Sequence, residues 1–360
     1  MKNKNGEIEL LRFVFAIIIM LRHASGKIII GFFGRAALGV EFFFIVSGYL
    51  MALSVKKKMD TQPDCERLGT ESFYYVVHKF KGLMPEFLFA WMISFGVAHI
   101  DISKTITIRE MVNDLMVWIY QLIPVSMAGF SGGEFHMAAW YISAMLLAMA
   151  ILYPICRKYY DMYTRVIAPL LAIFILGMLQ LSYGTVLGPV ALIGTVTFRG
   201  FPRAIAEISL GAALCPLCED FARHEITKNQ SRMLTILSVI CLGLTLAWMT
   251  IGTGNTCDTF CVFLIAIVVF VAFSAKGSLK ERFDREFCYK AGRLSMVIYM
   301  CHCEWAKFFG KALKYVINSG LAQDTLWLRA GALVAYFAVS FATAFFVQWL
   351  SQRVRAKKIN

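Results

Sequence analysis

The stretch EIELLRFVFAIIIMLRHAS, Glu7 to Ser25, decides the fold. Most of it is apolar enough to sit in lipid, yet Arg12 lies inside it and Arg22-His23 close its far end. An intramembrane arginine costs at least ~2.5 kcal/mol on insertion scales, so it faces a bundle interior or a watery cavity and has a partner. Arg12 and His23 are eleven residues apart. At ~100° per residue both side chains fall on nearly one helix face, with a rise of roughly 16 Å between them. One helix thus carries a fixed cation near one membrane surface and a titratable imidazole toward the other.

The rest of the chain agrees with a membrane setting. Of its 360 residues 59% are hydrophobic and only 16% charged, where a soluble chain carries ~25% charged residues. Mean hydropathy is +0.64. These values define an all-α polytopic membrane bundle in which lipid is the solvent. The net charge of +13 is explained by lysine and arginine on cytoplasmic segments, so nucleic acid is not an expected partner. Arg12 breaks the first apolar run and no small-x-small site follows, so the segment reads as a retained anchor rather than a cleaved signal.

Ten apolar stretches are expected to span: 8–24, 36–55, 83–100, 137–155, 166–182, 203–218, 232–252, 258–275, 294–315 and 329–350. Two further pieces, 111–127 and 186–198, are interrupted by polar residues, Gly and Pro, and read as re-entrant or interfacial. With both termini cytoplasmic, the inner segments carry 24 Lys and Arg and the outer ones 5. That is the asymmetry the positive-inside rule predicts. The chain reads as a single domain over 1–360, with a basic cytoplasmic loop at 56–82 and an extracytoplasmic loop at 101–136. Trp140, Trp248, Trp327 and Trp349 fall near span ends, as an aromatic belt would place them.

Several polar groups are placed for chemistry. Glu41, near the start of the second span, comes to the depth of His23, and a carboxylate there would orient the imidazole as a base. Alternatively His23 is simply solvated and Glu41 pairs with Arg22 or Arg35. Ser47-Gly48 sits mid-span, where small residues let helices approach. Glu134, His136 and Trp140 form a second polar cluster on the outer side. Arg203 and Glu207 stand i,i+4 and would pair. His302 either lines the cavity or donates to a backbone carbonyl. Cys215 and Cys218 have redox spacing without a second pair, and Cys301-His302-Cys303 point different ways on a helix, so no metal site is expected.

These residues occur in patterns that resemble the acyltransferase 3 family of integral membrane acyltransferases. Arg12 and His23 are similar to its Arg-x10-His signature. Gly39-Val40-Glu41-Phe42-Phe43-Phe44-Ile45-Val46-Ser47-Gly48-Tyr49-Leu50 resembles its Gly-Val-x-x-Phe-Phe-x-x-Ser-Gly-x-Leu segment. Trp140-Tyr141-Ile142-Ser143 is similar to its Trp-Phe/Tyr-Leu-Ser motif. Gly292-Arg293-Leu294-Ser295 with Ile298-Tyr299 and His302 resembles its late Ser-x-x-Ile-Tyr-x-x-His pattern. The resemblance runs in order over nearly the whole chain.

It implies an acyltransferase with no bound cofactor, taking cytoplasmic acyl-CoA, commonly acetyl-CoA, as co-substrate. The acyl group would pass to a hydroxyl of an envelope glycan or lipid-linked sugar outside. His23 would be the base and Arg12 would stabilise charge on the donor, with Glu41 beside them. Lys57, Lys79, Lys81 and Ser47 would meet the acyl-CoA, and Glu134, His136 and Trp140 the acceptor. Arg203 and His302 would line the cavity. The chain departs from the family where an Arg-x-x-Arg pair precedes Pro85: Lys79 stands at the first arginine and Gly82 at the second. Lysine keeps the charge but not the bidentate fork. The other reading of the same fold is a non-enzymatic domain for amino-acid uptake.

Overall fold

In the computed structural model the described residues are 5–100, 106–130, 135, 138–194, 197–255 and 257–356. They form helices α1 (Gly6–Ala24), α2 (Gly39–Thr61), α3 (Leu68–Ala98), α4 (Ile108–Trp118), α5 (Ala139–Lys158), α6 (Tyr160–Met162), α7 (Ala168–Tyr183), α8 (Gly200–Arg223), α9 (Lys228–Ile251), α10 (Asp258–Ser274), α11 (Lys280–Phe283), α12 (Glu286–Asn318) and α13 (Leu326–Ala356). A π-helical turn over Tyr163–Ile167 joins α6 to α7, so 160–183 runs as one rod. A two-stranded antiparallel ribbon, β1 (Leu192–Ile193) with β2 (Thr197–Phe198), occupies the segment expected to be re-entrant.

Among the described residues seven helices are long and apolar enough to cross a membrane: 36–61, α3, α5, 160–183, α8, α9 and α13. Helix α10 is apolar but has 17 residues. The remaining two long helices, α1 and α12, carry too many charged groups for that criterion. They pack against each other and are flanked by α2, α3 and α13. The polar residues of interest therefore lie largely on helices whose own hydropathy is diluted. The lipid-like faces belong to the outer helices, as with Met233, Ile236, Leu237 and Ile240 exposed on α9.

The close crossing of α2 and α8 is set by two glycines. A Cβ at Gly48 would lie 2.0 Å from the carbonyl oxygen of Ile208, and one at Gly211 would lie 1.9 Å from that of Ile45. Each glycine receives the backbone of the other helix, the small-residue packing expected at Ser47-Gly48.

Three expectations are corrected. The basic loop 56–82 is mostly helix: α2 continues to Thr61 and α3 starts at Leu68, because polar helix ends extend as readily as apolar ones. The span expected to start at residue 83 is part of a longer helix, with Pro85 inside α3. Trp140 is not in an interfacial belt: it is 8% exposed, packed on Phe44, with the Arg203 guanidinium 5.6 Å from its ring centroid. The segment 111–127, expected not to span, takes in the end of an 11-residue helix, α4, capped by Thr107 and Glu110 and too short to cross, followed by 3-10 turns at Ile119–Leu122 and Ser126–Ala128.

Candidate active site

The α1 helix is started by Asn5, whose side chain accepts from the N–H groups of Glu7 and Ile8. It buries Leu11, Phe15, Ile19 and Met20 and turns its polar face along the bundle interior. At one end of that face Arg12 donates to Glu9 at 3.5 Å. Glu9 in turn lies against Gly292 of α12, where a Cβ would fall 1.9 Å from its carboxylate. Arg12 is within electrostatic reach of Lys79 on α3 and of Tyr141 on α5. Lys79 is half-buried, with its ammonium 5.5 Å from the Tyr75 ring centroid. Two cations on different helices thus converge at this end of the site.

At the other end His23 meets His302 of α12, ring centroids 5.0 Å apart and planes at 63°. His302 is fully buried, and its Nδ1 lies 3.0 Å from the carbonyl oxygen of Ile298. That contact requires a proton on Nδ1, which leaves Nε2 as an acceptor when the ring is neutral. Cys303 Sγ lies 3.4 Å from that Nε2. Of the two alternatives for His302, the contact with a backbone carbonyl is the one realised.

Between the two ends lies an aromatic layer. Tyr299 is 5.9 Å from His302 and 5.6 Å from Tyr141 between ring centroids, and Phe43 packs on both tyrosines. Ser47 Oγ is 3.4 Å from the Tyr141 hydroxyl. Ser47 is thus beside the layer.

Glu41 does not meet His23, nor Arg22 or Arg35. Both its oxygens accept from Arg203, through Nε at 2.8 Å and through Nη2. Arg203 Nε also donates to Glu207 at 3.2 Å, the expected i,i+4 pair. All three groups are fully buried, and Arg35 instead pairs with Asp258 at 3.4 Å. The reason is geometric: Glu41 is on the α2 face that crosses α8, so the nearest cation takes it. Arg203 is accordingly a buried structural partner rather than a cavity group.

The other residues expected at the site are dispersed. Lys57 and Lys81 are exposed. Glu134 and His136 lie outside the described residues. At Gly82 a Cβ would meet open space, and the Gly82 carbonyl and the Glu86 carboxylate accept from Arg355 of α13 at 2.7 and 2.6 Å. A guanidinium from the other end of the chain thus stands beside the position where the sequence lacks one. No local pattern around residue 82 could have disclosed it.

His23, His302 and Cys303 offer three ligand atoms within 4.8 Å of one another. Lys27 donates to the carbonyl of His23 at 3.2 Å, and Lys307 stands four residues beyond Cys303 on α12. The sequence reading did not single out Lys27 or Lys307. The signal for the latter was available in the spacing of Lys307, Lys311 and Lys314, which share one helix face.

The long apolar helices define a multi-pass helical membrane protein. The sequence profile of the acyltransferase domain of the acyltransferase 3 family matches residues 5–349, and the chain belongs to that family. No curated protein and no solved structure matches the chain.

Proposed function

We propose that the protein is an O-acyltransferase of a bacterial cytoplasmic membrane, moving an acyl group, acetyl for preference, from cytoplasmic acyl-CoA to a hydroxyl of an envelope glycan or lipid-linked sugar on the outer face. All ten long helices would cross, with both termini inside. The observation that carries this reading is the single line of groups along α1, with Arg12 and Lys79 at one end and the His23–His302 pair at the other.

In this reading Arg12 and Lys79 hold the phosphates of the donor by charge. The thioester passes the layer of Phe43, Tyr141 and Tyr299 and presents its carbonyl near His23. The acceptor hydroxyl gives its proton to His23 as its oxygen attacks the carbonyl carbon. The carbon–oxygen bond forms and the carbon–sulfur bond breaks. The proton passes to the leaving sulfur, giving the ester and the CoA thiol. His302, held by Ile298, positions His23.

The test is transfer of labelled acetyl from acetyl-CoA in membranes containing the wild type or His23→Ala. Loss of transfer in the variant, with acetyl-CoA binding retained, supports the reading. Undiminished transfer by His23→Ala overturns it.

A further inference from the structure

The end of the bundle that holds His23 is strongly cationic, and nothing so far accounts for it. Helix α12 has 33 residues, and at ~1.5 Å per residue it is longer than the ~30 Å hydrocarbon core. Its C-terminal turns present Lys307, Lys311 and Lys314 on one face. They line a cavity of about 560 Å³ together with Lys27, Arg329 and Asp324. That volume is in the range of small-ligand sites. Among the described residues the lining cations outnumber the lining carboxylate Asp324, which holds Arg329, while Glu304 holds Lys307 from beside the cavity.

The fold builds this cavity. A Cβ at Gly310 would lie 2.9 Å from Cβ of Lys27, so the glycine lets the Lys27 stem lie across α12. The Lys27 ammonium donates to the carbonyl of His23 at 3.2 Å, placing it next to the histidine pair. Arg329 is held by Asp324 at 2.6 and 2.7 Å and donates to the carbonyl of Ile28 at 3.2 Å, tying the turn after α1 to the start of α13. Lys307 pairs with Glu304 at 2.8 Å. Burial pushes the Lys27 ammonium below its ordinary range; the charges of Lys307 and Arg22 add to that shift, and Cys303 and Glu304 oppose it. Lysines crowded like this are held at a cost that a multiply charged anion would relieve. A single carboxylate would neutralise one of them.

We propose that this cavity binds a phosphate or pyrophosphate group of the acceptor, so that the acyl acceptor is a phosphate-bearing glycan. The inference rests on the acyltransferase reading for the word acceptor, but the anion site stands or falls without it. Two sources share this chemistry: a sugar linked to a membrane polyprenyl diphosphate, and a soluble glycan with phosphodiester groups.

The experiment uses the full chain in nanodiscs of zwitterionic phosphatidylcholine and inorganic pyrophosphate as the probe, read by calorimetry. We expect saturable binding by the wild type and by Lys79→Glu, which alters only the opposite end of the site. We expect at least a tenfold loss in Lys27→Gln/Lys311→Gln/Lys314→Gln, with acetyl-CoA binding unchanged. Displacement of pyrophosphate by polyprenyl diphosphate placed in the disc identifies a lipid-linked acceptor. Displacement by a soluble poly(glycerol phosphate) identifies a soluble one. Absence of pyrophosphate binding by the wild type, equal binding by the triple variant, or displacement by neither compound overturns the proposal. Acetyl transfer is measured in parallel. Pyrophosphate bound at the lysines while the wild type transfers no acetyl above membranes lacking the protein would remove the acyltransferase reading and leave the anion site.

Discussion

His23 on α1 and His302 on α12 stand edge to face with ring centroids 5.0 Å apart, although 279 positions separate them in the chain. The Nδ1 proton of His302 is committed to Ile298. If His302 positions His23, His302→Gln should lower kcat for acetyl transfer about 10- to 100-fold, within the span general acid–base contributions cover, and leave KM for acetyl-CoA nearly unchanged. It should also move the pH dependence of kcat. A purely structural role would lower the amount of folded protein without moving the pH profile.

Arg203 is the common partner of Glu41 and Glu207. Replacing it by Met leaves two buried carboxylates facing each other. Removing one member of a buried ion pair costs ~3–5 kcal/mol. Arg203→Met should therefore melt far below the wild type in detergent, and Glu207→Gln, which leaves the Glu41–Arg203 pair intact, should fall much less. Thermal unfolding followed by tryptophan fluorescence measures both.

At Gly48 a methyl group would press on the Ile208 backbone, which has no room to move without parting α2 from α8. Overpacking of this kind costs ~1–3 kcal/mol. Gly48→Ala should lower Tm, and Gly48→Leu should abolish a monodisperse peak in size-exclusion chromatography.

Gly82 is the opposite case. It lies inside α3, a Cβ there meets nothing, and no unusual backbone conformation requires glycine. Gly82→Ala should raise stability by ~0.5–1 kcal/mol, the helix-interior difference between the two residues. Gly82→Arg fits the same space and adds a guanidinium to the end of the site holding Arg12 and Lys79. It should tighten acetyl-CoA binding, and weaker binding would place the donor phosphates elsewhere.

Helix α13 tests the same region from the other end of the chain. Arg355→Ala removes the donor to Gly82 and Glu86, and it leaves the Glu86 carboxylate without that cation. Acetyl-CoA binding should weaken severalfold with little change in Tm, because Arg355 is about half exposed. An exposed pair contributes at most ~1 kcal/mol to stability.

The sequence alone determined the class of fold and the shared helix face of Arg12 and His23. Apolar runs of spanning length, sparse charge and the face shared by Arg12 and His23 depend only on helix periodicity and on the cost of charge in lipid. Both are local properties, legible without coordinates. The ordered motifs added the family, and the Arg203–Glu207 pairing followed from i,i+4 spacing. What tertiary structure decided was which charge meets which. Span boundaries put Glu41 at the expected depth of His23, but the crossing of α2 on α8 at Gly48 and Gly211 turns it to Arg203. His302 reaches His23 only because α12 packs along α1. Arg355 comes to Gly82 from the last helix, and Lys27 joins the α12 lysines across Gly310. Hydropathy sets the depth of a side chain in the bilayer. Its partner around the bundle axis is set by which helices touch, and one chain's pattern does not encode that locally.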